Sequence, residues 1–132
     1  MLAWWAFLDD AQELLSLETV FEIEHIFAKS RQDKKHSLES SKSLEALGNK
    51  AMLEKRINIR ASDYRFEDKK KYYNGYINSR KQEKKGTKIN ELLSLAKTND
   101  DFIEADIIKR TNDMIERFMQ YIAENGLAQK TK

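Results

Sequence analysis

The spacing of hydrophobic residues along the chain predicts a mostly helical protein with one short pair of strands. Apolar positions close to helical periodicity predict helices over residues 1–17 and 101–124, and Gly126 is expected to end the second of these. Residues 19–27 are rich in β-branched and aromatic side chains, which is typical of a strand. Residues 51–53 form a shorter apolar stretch, and we expect a second strand there that pairs back on the first.

The rest of the chain is predicted to contain two further helical segments and two polar connections. Residues 28–43 are polar and basic without an apolar period, so they predict a loop. From Asn58 onward the pattern again indicates a helix. Residues 81–87 predict a linker, and residues 87–96 predict a short helix that precedes the last one.

The composition limits the class of protein to which the chain can belong. The chain has 132 residues, of which 40% are hydrophobic and 35% charged, so we expect one globular domain with an ionic surface. It has no cysteine, which excludes disulfides, thiolate zinc sites and a cysteine nucleophile. The apolar residues 2–8 are too few for a membrane span and follow no basic segment of a signal peptide. We therefore expect a cytoplasmic protein with no membrane partner.

Charge is distributed unevenly along the sequence. Residues 1–27 contain six acids and no Lys or Arg, whereas residues 28–88 contain 18 Lys and Arg against eight Asp and Glu. The formal net charge of the whole chain is only +2. A basic block inside a nearly neutral chain is expected of a face that binds a polyanion, and a solvated lysine-rich surface has the same pattern. Charge alone leaves both interpretations open.

The most informative polar residues are a glutamate and a histidine at the end of the first predicted strand. Strict alternation along a strand places Glu24 and His25 on opposite faces, so the strand must bend or end there if both serve one site. By itself, this pair also fits a hydrogen-bonded structural histidine. The other histidine, His36, lies in the basic loop, where we expect a solvated side chain.

Several short motifs occur in order along the chain. Their combination, with the distances between them, is more specific than any single motif. They are Glu24-His25-Ile26, Gly48-Asn49, Asn58 with Ala61-Ser62, Phe66-x-x-Lys69 and Ile107-x-x-Arg110. Over residues 20–120 this pattern resembles the HNH, or His-Me finger, endonucleases. It is most similar to the C-terminal nuclease domain of the GmrSD-type, modification-dependent restriction enzymes. The chain departs from that family at Lys50, where a hydrophobic residue is usual, and it has asparagine at position 58, not histidine.

The resemblance implies an α+β, mostly helical fold with an embedded ββα-metal motif, in which a two-stranded hairpin and a helix hold one divalent ion. It implies that His25 is the general base and that Asn49 fixes the loop that orients the imidazole. It also implies that Glu24 and Asn58 hold the metal. A carboxylate and an amide oxygen suit Mg²⁺, which keeps several waters, and Mn²⁺ is the alternative. Histidine, with an ordinary pKa of about 6.5, is a suitable base near neutral pH.

The resemblance also implies a function for the basic block, which is to bind DNA. DNA, expected to be double-stranded, is the implied partner, and basic residues near the motifs are expected to bind its phosphates, which positions the substrate without reading sequence. These residues are Arg31, Lys34, Lys35, Arg60, Arg65, Lys69, Lys70 and Arg110. For Arg110 an ion pair within the protein is an equally good interpretation.

We therefore expect a single domain over residues 1–132, with an N-terminal helix (1–17), a ββα-metal core that carries the basic loop (19–80) and C-terminal helices (87–126). The expected function is metal-dependent hydrolysis of DNA phosphodiester bonds by the cleavage domain of a restriction or defence system. In the resembled family this domain follows a larger NTP-dependent domain. We expect the chain to be a fragment or a stand-alone relative that works with such a domain or partner chain. Its oligomeric state stays open.

Two other functions also fit the sequence. The first is a nucleic-acid-binding module whose catalytic apparatus has decayed, which would bind DNA and never cut it. The second is a helical interaction domain that docks another chain through Trp4 and Trp5 and has no affinity for polyanions.

Overall fold

A computed structural model describes residues 1–29, 31, 38–62 and 64–126. Within these residues the fold is α+β, with two separate two-stranded sheets among helices of very different length. The elements in chain order are α1 Leu2–Ala6, β1 Phe21–His25, α2 Ser41–Leu44, a 3₁₀ turn Leu47–Asn49, β2 Lys50–Glu54, α3 Lys55–Ala61, α4 Phe66–Asn74, β3 Gly75–Ile77, β4 Glu83–Lys85, α5 Asn90–Thr98 and α6 Glu104–Glu124. None of the helices in these described ranges is long and apolar enough to cross a bilayer.

The first sheet confirms the predicted pair of strands. β1 and β2 are antiparallel, with Glu24 opposite Ala51 and His25 opposite Lys50. Helix α3 follows β2 directly and packs against both strands. The hairpin and the helix together form a ββα unit, which is the arrangement that the sequence motifs imply.

The second sheet is a difference from the sequence-based prediction, which assigns residues 81–87 to a linker. β3 and β4 pair antiparallel from Gly75 opposite Lys85 to Ile77 opposite Glu83. Gly75 has a φ of +89°, and a Cβ on Gly86 would collide with the carbonyl of Tyr73, so the hairpin needs glycine at both positions. Because β4 consists only of charged residues, its composition carries no strand signal.

The N-terminal helix is much shorter than the predicted span of residues 1–17. α1 ends at Ala6, and the Asp9 carboxylate then accepts a hydrogen bond from the N–H of Ala11 at 2.9 Å, as in an Asx turn. The Gln12 side chain donates to the carbonyl of Lys88 and accepts from the N–H of Asn90, both at 2.7 Å. These side-chain bonds hold the segment against the start of α5 and replace the helical pattern there.

The core lies between the first hairpin and helices α3 to α6. Most of its members are aliphatic or aromatic side chains that are almost completely buried: Ile26, Phe27, Leu53, Phe66, Tyr73, Ile89, Leu92, Phe102 and Ile107. The predicted C-terminal helix is confirmed as α6, and Gly126 follows it with a φ of +67°. The helix predicted from Asn58 onward is divided in two, because Ser62 adopts a φ of +45° after α3.

Gly48 allows the 3₁₀ turn to approach α6 closely. Its N–H donates to the Thr111 hydroxyl at 2.8 Å, and a Cβ would collide with that hydroxyl and with the carbonyl of Ile107. We expect Gly48→Ala to lower the free energy of unfolding by about 2–3 kcal/mol through overpacking, as measured by urea denaturation. Gly126→Ala is the control, because its Cβ meets no atom within 4 Å. It should cost about 1 kcal/mol for its positive φ, and equal losses in the two variants would refute the packing argument.

Candidate active site

The last residues of β1 and one face of α3 line a single cleft of about 200 Å³. Because β1 ends at His25, Glu24 and His25 both reach this cleft despite the alternation of strand side chains. Asn58 and Ser62 are one helical turn apart and line the opposite wall. Three predicted site residues, Glu24, His25 and Asn58, are therefore brought together.

Glu24 is held by buried partners on α4. Its side chain is 3% exposed; Oε2 accepts a hydrogen bond from the Tyr73 hydroxyl at 2.7 Å, and Oε1 lies 3.1 Å from Nζ of Lys69. Burial raises the pKa of the Glu24 carboxyl, and the nearby Lys69 ammonium and the Tyr73 hydrogen bond oppose that shift. Burial beside this carboxylate also raises the pKa of Tyr73 well above its ordinary value, so its hydroxyl stays protonated and donates.

Lys69 connects the two residues of the Glu-His pair. Its Nζ donates to the main-chain carbonyl of His25 at 2.7 Å and forms the ion pair with Glu24. The lysine is only 1% exposed. One buried ammonium thus fixes the side chain of Glu24 and the main chain of His25.

The imidazole of His25 is oriented by a carboxylate that the sequence analysis did not identify. Its Nε2 lies 3.2 Å from Oε1 of Glu45, and the other oxygen of Glu45 lies 3.2 Å from Nζ of Lys50. Burial lowers the pKa of His25 below its ordinary value, although Glu45 opposes the shift. Burial therefore favours the neutral form of the ring. When Nε2–H donates to Glu45, Nδ1 carries the lone pair that can accept a proton.

Asn49 lies outside the cleft and fixes the main chain next to it. Its side chain is fully buried; Oδ1 accepts from the N–H of Phe27 at 2.7 Å, and Nδ2 donates to the carbonyl of Phe27 at 3.1 Å. The same Nδ2 donates to the carbonyl of Leu44 at 2.9 Å. Asn49 therefore ties the segment that leaves His25 to the turn that precedes β2.

Asn58 bonds through its nitrogen. Nδ2 donates to Oε1 of Glu22 at 3.0 Å, and Glu22 is on the same strand face as Glu24, two residues away. The amide oxygen, which is the atom that binds hard cations, is not used in this bond.

Arg110 of α6 forms an ion pair inside the protein. Its guanidinium binds both oxygens of Glu91, at 2.9 and 2.7 Å, and Nη1 donates to the carbonyls of Gly48 and Lys50 at 3.0 and 2.7 Å. These two carbonyls flank Asn49. Of the alternatives that the sequence left open for Arg110, the structure therefore shows the buried ion pair, which supports the Asn49 turn.

A family model described as "GmrSD restriction endonucleases, C-terminal domain" matches residues 5–117. The chain belongs to this family. The match confirms the resemblance that the Glu24-His25 motif and its spacing suggested, and it gives the chain a nuclease role in restriction with DNA as the substrate. Among curated proteins and among solved structures, no match was found.

Three of the cations that were expected to contact phosphates are buried in this GmrSD C-terminal domain. Arg31, Lys69 and Arg110 are 4%, 1% and 6% exposed. Arg31 donates to both carboxylate oxygens of Asp101, at 3.1 and 3.3 Å, and the other two have the internal partners described above. Because these charges are paired inside the fold, their positions do not support the expected phosphate contacts. Lys69 nevertheless lines the cleft.

The other predicted phosphate contacts have different positions. Arg65 is exposed, and Arg60 and Lys70 are half-buried, so their charged groups can reach solvent. The basic-loop residues Lys34, Lys35 and His36 lie outside the described residues. The charge pattern of the sequence does not distinguish the solvent-accessible cations from the buried ones, because both sets consist of Lys and Arg.

The donors in the cleft fit Mg²⁺ in their chemistry. In the described part of the chain, no group of three or more His, Asp or Glu could hold a metal ion, so a closed site of the zinc type is absent there. The Glu24 carboxylate and the Asn58 amide oxygen are the donors that Mg²⁺ takes when waters complete its shell. Both oxygens of Glu24 already have protein partners, Lys69 at Oε1 and the Tyr73 hydroxyl at Oε2.

Proposed function

We propose that this GmrSD C-terminal domain is an HNH-type, metal-dependent endonuclease that hydrolyses DNA phosphodiester bonds with His25 as its general base. The observation that carries the proposal is the convergence of Glu24, His25 and Asn58 on one cleft. The lowered pKa of His25 supports it, because a base must be unprotonated at working pH.

The cleft residues divide the work of hydrolysis. Nδ1 of His25 takes a proton from the water that attacks phosphorus, while Nε2–H is held by Glu45. The bond from phosphorus to the 3′ oxygen then breaks, and the leaving oxygen takes a proton from solvent. Glu24 and Asn58 would hold Mg²⁺, which when bound supplies a Lewis acid for the charge that develops on the phosphate oxygens. Lys69 and Asn49 keep the base in place by fixing the main chain at His25 and at Phe27. Electrostatic positioning of this kind costs no reorganisation during the reaction.

We further propose that the recognition of modified DNA lies in another, NTP-dependent domain or partner chain. Phosphate contacts position a duplex but carry no sequence information. The solvent-accessible cations Arg65 and Lys70 would make contacts of this kind. The domain alone should therefore cut with little sequence preference and with a strong dependence on salt.

Cleavage of supercoiled plasmid tests the proposal. We expect nicked product with Mg²⁺ or Mn²⁺ and none with EDTA. Asn58→Ala should require at least about tenfold more Mg²⁺ for half-maximal cleavage, because it removes an oxygen ligand. Asn112→Ala is the matched control, since Asn112 is exposed on α6.

Cleavage that persists in EDTA would contradict the metal dependence, and equal Mg²⁺ requirements in the two asparagine variants would contradict the role of Asn58. DNA binding without any cleavage by the wild-type protein would favour the inactive binding module.

A further inference from the structure

The face of α3 that points away from the cleft lines a second depression, of about 420 Å³, between this helix and the β3–β4 hairpin. We call it the basic groove. Its cationic residues are Arg56, Arg60, Lys84, Lys85 and Lys88. Two of its walls, the hairpin and the N-terminal part of α3, carry no residue of the Glu-His cleft, so the groove is a separate feature of the surface.

The positive charge of the basic groove is not neutralised by the protein. None of its five cations forms an ion pair within the described ranges of the chain. The groove has two acids, and one of them, Glu54, already accepts hydrogen bonds from the Thr87 hydroxyl and from the N–H of Lys88. Both donors are neutral, so Glu54 keeps its charge; with Glu83, two negative charges oppose five positive ones. The groove therefore keeps an excess of positive charge, which is the electrostatic character of a polyanion site.

The groove and the cleft lie on opposite sides of one helix. Residues two apart on a helix are separated by about 200°, so Arg56 and Arg60 face away from Asn58. A helix with its side chains is about 10–12 Å across, and phosphates on one DNA strand repeat about every 3.4 Å along the duplex axis. A strand that passes around the helix from the cleft to the groove would therefore advance by at least about three nucleotides.

Hydrogen bonds through Tyr73 connect the groove to the cleft. The N–H of Thr87 donates to the carbonyl of Tyr73 at 2.8 Å, and a side chain at Gly86 would not fit beside that carbonyl. The hydroxyl of Tyr73 in turn donates to Glu24. The segment that follows β4 is thus hydrogen-bonded to Tyr73, the residue whose hydroxyl holds a cleft carboxylate.

We propose that the basic groove binds the sugar–phosphate backbone of DNA at least about three nucleotides from the bond that the cleft cuts. The site is sequence-independent, because its cations meet phosphates and not base edges. The identity of the polyanion rests on the proposed function, whereas binding in the groove does not require cleavage. The two claims can therefore fail separately.

Fluorescence anisotropy with a labelled DNA duplex in EDTA measures this binding without cleavage. Arg56→Glu and Lys85→Glu each reverse an exposed charge of the groove, and Lys97→Glu reverses an exposed charge on α5 as the matched control. We expect each groove variant to raise Kd at least about fivefold and to reduce the slope of log K against log salt by about 1. The control should stay within about twofold of the wild-type Kd.

Groove variants that bind like Lys97→Glu would overturn the proposal. Arg56→Gln and Lys85→Gln, which remove a charge without adding one, should reproduce the loss of slope if either reversal disturbs folding. If the wild-type protein does not cut plasmid but the groove variants bind the duplex more weakly than it does, the groove is established and the nuclease proposal is refuted. Normal cleavage with unaltered affinity in the groove variants would refute the groove and support the nuclease proposal.

Discussion

Lys69→Met is expected to lower the free energy of unfolding by about 3–5 kcal/mol, because it leaves the Glu24 carboxylate buried without its cation. Both side chains are almost fully buried, so water cannot replace the lost partner. The substitution also removes the hydrogen bond to the carbonyl of His25. Methionine fills a similar volume, so the loss measures the unpaired polar groups and not a cavity.

Urea denaturation of matched variants separates this effect from the loss of any lysine. Lys71→Met is the control, since Lys71 is an exposed neighbour whose ammonium lies over the Tyr72 ring at 5.0 Å. It should cost at most about 1 kcal/mol. The double variant Glu24→Gln/Lys69→Met neutralises both charges and should recover part of the loss. A Lys69→Met variant as stable as Lys71→Met would show that the buried pair contributes nothing to folding.

The elements whose conformation is set by residues close in sequence can be predicted from the sequence. The β-branched run before His25 and the short apolar stretch after Asn49 predict a strand pair, and the structure confirms it. The periodic apolar residues of α6 are equally informative. The resemblance to the HNH endonucleases implies a common site for Glu24, His25 and Asn58, and the three residues do line one cleft.

Long-range pairing decides the features that the sequence does not predict. Lys69 belongs to a run of three lysines, and nothing in that run indicates that only the first is buried against Glu24, 45 residues earlier. The partner of Arg110, Glu91, is likewise on another helix. A charge pattern reports which residues are cationic, whereas burial depends on where tertiary packing places a matching carboxylate.

The second hairpin and the role of Glu45 are not predictable from the sequence for related reasons. β4 has no apolar residue, so its pairing depends on two glycines that let the main chain pass the end of α4. Glu45 reaches His25 only because the Asn49 side chain holds the turn before β2 against the segment after β1. Neither arrangement has a recurring spacing that a single sequence would reveal.

His25→Ala is expected to reduce the rate of DNA cleavage by about 10²–10⁴-fold, which is the usual contribution of a general base. The substitution removes the bond between the imidazole and Glu45 but leaves the main-chain bond from Lys69 to the His25 carbonyl in place, so folding should be preserved. The lowered pKa of His25 also predicts a pH profile. Cleavage should fall as the pH drops through that lowered pKa, because the protonated ring cannot accept a proton.

The most direct test of the nuclease account compares the two histidines of the chain in one plasmid-nicking assay with Mg²⁺. Initial rates would be measured for wild-type protein, His25→Ala and His36→Ala, with circular dichroism to confirm that each is folded. The account predicts that His36→Ala cuts at a rate within a fewfold of wild type and that His25→Ala is almost inactive. A folded His25→Ala variant that nicks plasmid as fast as His36→Ala would contradict it.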